Sequence, residues 1–212
     1  MIELCERAVQ PVQARRFSAE EFCSLAQTEA GSLYRPRSEV LRMLAVGEAF
    51  GLCAAGSRPD TAMLVLPAEA DVSVAAALRE VYGRAPRRRG FVFTPPVGGT
   101  AADAQCLLQA AMAYVRRRVP GCPVWAVLEC TPETEQLVPA YLAQGFALRA
   151  LRPLNSLSPC YIFSAASLEE SGEGVWVALS DATHLALLLC RGWAAVASRI
   201  TPEGCALRVV PV

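Results

Sequence analysis

Apolar and polar positions along the chain follow two rhythms, and the changes between them mark out its elements. Residues 1–9 alternate as a strand that Pro11 ends. Ser18 then caps a helix with Glu20 and Glu21 in its first turn, where the dipole favours carboxylates. Phe22, Leu25 and Ala26 give that helix one apolar face, and Gly31 closes it. A second helix is expected over Ser38–Val46. Two strands follow near Ala49–Ala55 and Ala62–Leu66, around a Gly-Ser-Arg-Pro-Asp turn. Residues 69–84 read as helix or loop, with Val74, Leu78 and Val81 at helical spacing. Gly90–Thr94 is the next strand, stopped by Pro95 and Pro96.

The second half begins with a glycine-containing loop that opens into a long helix, Gly98 to Arg118, striped by Leu107, Leu108, Ala111, Met112 and Val115. A strand at Val124–Glu129, a helix from Thr131 to Gly145 and two antiparallel strands at 146–152 and 160–165 follow. Residues 166–174 form a linker of Ser, Glu and Gly. Behind it the pattern restarts: strand 175–179, helix 182–190, strand 193–200, strand 205–210. Val124-Trp125 leads through a helix to Gly145-Phe146, and Val175-Trp176 leads through a helix to Gly192-Trp193. This predicts either a partial duplication of 124–165 or the common use of glycine at helix ends. Together the elements predict an α/β (α+β) fold, with a domain at 1–165 and a β-α-β-β extension at 175–212.

Composition narrows the function classes. Over 212 residues, 20 basic and 20 acidic side chains balance, which gives no electrostatic case for nucleic acid or an anionic membrane. Every basic residue is Arg, so lysine chemistry is excluded. The nine cysteines are scattered without a C-x-x-C pair, and His184 is the only histidine, so no zinc-ligand spacing exists and no metal is expected. Free thiols and a charged N-terminus predict a soluble cytoplasmic protein. His184 reads as a surface or satisfied helix histidine.

Candidate chemistry concentrates at the strand-to-helix turn of residues 92–108, because a helix N-terminus with small residues suits a phosphate. The run Pro96-Val97-Gly98-Gly99-Thr100-Ala101-Ala102-Asp103-Ala104-Gln105-Cys106-Leu107-Leu108 resembles, without a gap, the acyl-CoA-binding turn of the GNAT-type N-acyltransferases. Their pattern is Q/R-x-x-G-x-G/A followed by a Leu pair. Ala104 fits it; Gly99 stands for the Gln/Arg and Ala102 for the middle glycine, and Asp103 adds a negative charge. A second block, Leu128 to Gln136 and Tyr141-Leu142-Ala143-Gln144-Gly145-Phe146, resembles the same family's next strand and helix, with Thr134 replacing an Asn.

The resemblance implies a mixed central sheet flanked by helices and an acyl-CoA-dependent N-acyltransferase, with acetyl-CoA or another acyl-CoA as co-substrate and a small-molecule or peptide amine as acceptor. It implies that strands 90–94 and 124–129 splay apart and that the main chain of Val92, Phe93 and Thr94 bonds the pantetheine arm. Gly98, Gly99, Thr100, Ala101, Ala102, Asp103, Ala104 and Thr134 would then hold the co-substrate. Tyr141 would protonate the departing thiolate, the alternative being an ordinary half-buried helix tyrosine. Glu129 is the acidic residue placed to act as base, or a solvated carboxylate; Cys130 has no histidine near it in sequence to activate it. Arg87, Arg88 and Arg89 could meet the 3′-phosphate or stay solvated, and Arg116, Arg117 and Arg118 offset a helix dipole. The departures in the turn keep a non-catalytic, regulatory module as the alternative. The extension would lengthen the sheet, cover the acceptor cleft or exchange between subunits of a homodimer.

Overall fold

The computed structural model describes residues 13–28, 37–53, 61–70, 75, 78, 90–153, 159–165 and 172–212. The strand expected at 1–9, Pro11, Gly31, Arg87 to Arg89, Val74, Val81 and residues 166–171 lie outside these. Strands β1 (Gln13–Phe17), β2 (Glu48–Cys53), β3 (Thr61–Pro67), β4 (Phe91–Phe93), β5 (Val124–Glu129), β6 (Ala147–Pro153), β7 (Pro159–Ser164), β8 (Val175–Ala178), β9 (Trp193–Thr201) and β10 (Gly204–Pro211) form one sheet. Its order is β1-β2-β3-β4-β5-β7-β6-β9-β10-β8, and β4–β5 is its one parallel pair among the described residues.

Helices α1 (Ala19–Thr28) and α2 (Arg37–Leu44) cover one face, where Phe22, Cys23 and Met43 pack on Ala62, Leu64 and Leu66 of β3. The alternate residues Met63 and Val65 face the other way, as a strand's period of two requires. There they meet α3 (Ala101–Arg118), α5 (Val138–Ala143) and α6 (Ala182–Cys190), with the four-residue α4 (Pro132–Glu135) between β5 and α5. This large core runs without a break into Val177, Leu185, Leu188, Leu207 and Val209, so the extension shares it. No helix among the described residues is long and apolar enough to cross a membrane.

The single helix expected from Thr131 to Gly145 is two, because Pro139 cannot donate an N–H and sits instead in the first turn of α5. At the far end of α3, Arg118 reaches Glu48 of β2 (3.4 Å), which also holds Arg16 of β1 (2.6 Å). The Arg16 and Arg118 guanidinium groups lie near the Tyr114 ring, 5.6 and 5.5 Å from its centroid respectively. This exposed network ties α3 to the sheet edge.

Ser18 caps α1 as expected, with Glu21 donating its N–H to Ser18 Oγ (3.2 Å). Arg15, 2.6 Å away, and then the Ser18 N–H at 2.8 Å hold the Glu21 carboxyl down to about 2, from an ordinary 4.5. The folded protein therefore binds fewer protons here than the unfolded chain, and this contribution is complete above about 4.5 and lost as pH falls towards 2. Glu21→Gln is expected to flatten the fall of the urea midpoint across that window; an unchanged slope would show that the pair contributes nothing.

Candidate functional site

Two neighbouring strands part at one end of the sheet. β4 and β5 run side by side through Phe91–Val124, Val92–Trp125 and Phe93–Ala126. Beyond Phe93 the chain keeps to β3: Thr94 N–H donates to Leu64 O (3.0 Å), and Val97 and Ala62 exchange bonds of 2.7 and 3.0 Å. β5 keeps instead to β7, as far as Glu129 opposite Cys160. Pro95 and Pro96 have no N–H with which to resume the ladder. The β4 side of Val127–Glu129 therefore has no strand partner among the described residues.

Val92 and Phe93 have strand neighbours on both sides, and the Thr94 N–H is spent on Leu64. On β5, Glu129 O accepts from Thr131 N–H (3.0 Å) and from the Thr134 hydroxyl.

The turn into α3 is built for close approach. Gly98 and Gly99 both have φ 72°, a left-handed conformation that costs glycine little. A Cβ on Gly99 would lie 2.7 Å from Thr61 Cβ, so this backbone cannot carry the Gln or Arg of the family pattern. Buried Thr61 secures the turn, its hydroxyl lying 3.0 Å from Val97 O and 2.8 Å from Gly98 O. Nothing in the sequence marks Thr61 for that task.

Thr100 and Asp103 form a capping box. Asp103 Oδ2 accepts from Thr100 N–H (2.8 Å) and Thr100 Oγ1–H (2.7 Å), and Asp103 N–H donates back to Thr100 Oγ1 (3.3 Å). Its signature, Thr-x-x-Asp before an apolar stripe, is legible in the sequence. The N–H groups of Ala101 and Ala102 have no partner among the described residues. Ala104 is buried beneath them. An anion would find two backbone donors and a dipole here, with the Asp103 carboxylate alongside.

Tyr141 lies on the α3 side of β5, in the core that holds Ala126 and Leu128. Its ring stacks on Phe163 (5.2 Å) and meets the edge of Phe146 (5.4 Å). It is fully buried, and its hydroxyl has no hydrogen-bond partner among the described residues. Burial alone pushes its pKa up, so the phenol keeps its proton. Glu129 alternates with Leu128 and shares the opposite face with Val127, so Glu129 and Tyr141 lie on opposite faces of the sheet. Thr134 spends its donor on Glu129 O and accepts from Thr131 N–H (3.0 Å), which clamps α4 to the end of β5. Cys130 is pushed up to about 12, mainly by burial, and is no thiolate. His184 is half exposed in the first turn of α6, 3.8 Å from Asp181.

No protein-family model and no curated protein matches the chain. Solved structures do match it. A chain of the NatC complex bound to Gag peptide and CoA aligns with a TM-score of 0.53 at 9% identity, over 74% of this chain and 99% of that one. Arabidopsis thaliana NAA60 in complex with acetyl-CoA aligns with a TM-score of 0.51 at 10% identity, over 73% and 97%. At such identities the likeness is one of fold, and with the strand order and the parting of β4 from β5 it shows that the chain has the fold of the GNAT acyltransferases.

Proposed function

We propose that the protein is an acyl-CoA-dependent N-acyltransferase acting on a small-molecule or peptide amine. The observation that carries this reading is the edge of Val127–Glu129 without a strand partner, on a strand whose Ala126 and Leu128 share a core with Tyr141, whose buried hydroxyl has no partner among the described residues. A buried hydroxyl without a partner costs about 1–3 kcal/mol, and its retention needs an explanation. A proton donor to a leaving group supplies one.

Acyl-CoA, when bound, supplies a thioester as acyl donor. The β5 edge would pair with the amide groups of its extended arm, and the N–H groups of Ala101 and Ala102 would face its phosphates. The amine would enter from the α1–α2 face, where Glu129 accepts its proton directly or through water. Tyr141, on the other face, would give its proton to the departing sulfur. Incubating the full chain with acetyl-CoA and a panel of amines and N-terminal peptides, and following thiol release, tests this. Release that depends on an amine supports it; release no faster than hydrolysis with every acceptor contradicts it.

The capping box favours a second reading, a module that binds acyl-CoA weakly and does no chemistry, because Asp103 already takes the Thr100 N–H. Repulsion from that exposed carboxylate is worth about 1 kcal/mol. Asp103→Asn, which can keep the bond to Thr100, is expected to tighten CoA binding about fivefold by calorimetry. Unchanged affinity would place the phosphates elsewhere.

A further inference from the structure

The sheet order β5-β7-β6-β9-β10-β8 reads the same from both ends when β8, β10 and β9 are equated with β5, β7 and β6. Each half is a strand, a helical segment and a hairpin whose second strand returns to pair with the first. The details match in register. Gly145 (φ 79°) and Gly192 (φ 84°) end the helical segments. At the same offset after each glycine the strand bulges, at Arg149 in β6 and at Val196 in β9. At the open ends Cys130 N–H donates to Pro159 O and Leu179 N–H to Cys205 O, each at 2.8 Å.

Counted from its glycine, Leu148 corresponds to Ala195, and these two residues are the pair that joins β6 to β9. A residue paired antiparallel with its own counterpart lies on a two-fold axis. The packing is reciprocal as well: α5 lies against β9 and α6 against β6, on one face of the sheet. What the second half lacks is the chemistry. Leu188 stands where Tyr141 does, and Ala178, opposite Ala206, stands where Glu129 does.

We propose that residues 175–211 are a second copy of the unit 124–164 that serves as an internal subunit. Within one chain it occupies the place along β6 that a second molecule would take in a two-fold dimer. The copy keeps the pairing and the bulge that close the seam and lacks counterparts of Tyr141 and Glu129.

A disulfide across the axis tests this in the full chain. Leu148→Cys with Ala195→Cys puts two thiols in a directly opposed pair, with Cβ atoms about 4.5–5.5 Å apart. Mild oxidation is expected to give a 148–195 disulfide in a chain of monomer mass, located by mass spectrometry of unreduced peptides. A disulfide-linked dimer would mean that the unit is exchanged between molecules, and two free thiols in a folded variant would mean that β9 does not lie on β6; either overturns the proposal. Should the double variant not fold, hydrogen exchange on the unaltered chain decides. Protection of residues 147–151 and 193–197 is expected to be the same in dilute and concentrated solution. Protection lost on dilution would show that a second molecule supplies it.

Discussion

Tyr141→Phe is expected to slow acyl transfer by roughly a hundredfold to ten-thousandfold while leaving the protein at least as stable. The two effects have one cause. The ring stays, so its contacts with Phe163 and Phe146 are kept, and only a hydroxyl without a partner is removed. Removing a buried unsatisfied group is worth about 1 kcal/mol or more. An ordinary structural tyrosine would behave otherwise, with activity unchanged. Initial rates and a urea melt on the same preparation separate the cases. A variant that is less stable and fully active would sink the assignment of Tyr141 as proton donor.

Phe163→Ala should cost about 3–5 kcal/mol, the largest stability effect expected from a single truncation here. Phe163 pairs with Ala126 on one side and Leu148 on the other, and it is fully buried. Its ring centroid lies 5.2 Å from that of Tyr141 and 6.5 Å from that of Tyr161. Removing it leaves a cavity beside the Tyr141 ring as well as in the shared core. Thermal unfolding of this variant should therefore shift with the extension and the main domain together. Two separate transitions would show that the core is divided where the sequence places its linker.

Much of this arrangement is legible in the sequence wherever a signal is local. Val124–Glu129 and the helix at 182–190 fall where their apolar runs and flanking Pro, Asp and Gly put them. The Thr100–Asp103 box is equally local, and it explains in physical terms why the turn into α3 carries an acid. β1 is harder, because Gln13-Ala14-Arg15-Arg16-Phe17 is an edge strand whose arginines lie over aromatic rings, so little alternation remains. The Thr61 tether and the exclusion of a side chain at Gly99 depend on a strand more than thirty residues away.

The repeat shows a subtler limit. Matching Val124-Trp125 to Val175-Trp176 sets the two units two residues out of step. The ladders place Trp176 opposite Arg208, as Val127 lies opposite Ile162. A slip of two residues leaves every side chain on its own face, so the apolar pattern cannot detect it. Only the hydrogen-bonded partners fix the register.

In the proposed function, the parting of β4 from β5 and the turn into α3 together receive an acyl-CoA. Hydrogen exchange of the full chain, alone and with excess acetyl-CoA, tests it most directly. Slower exchange confined to residues 127–129 and 98–102 is the expected result. Exchange unchanged at both places, in the presence of millimolar acetyl-CoA, would contradict it.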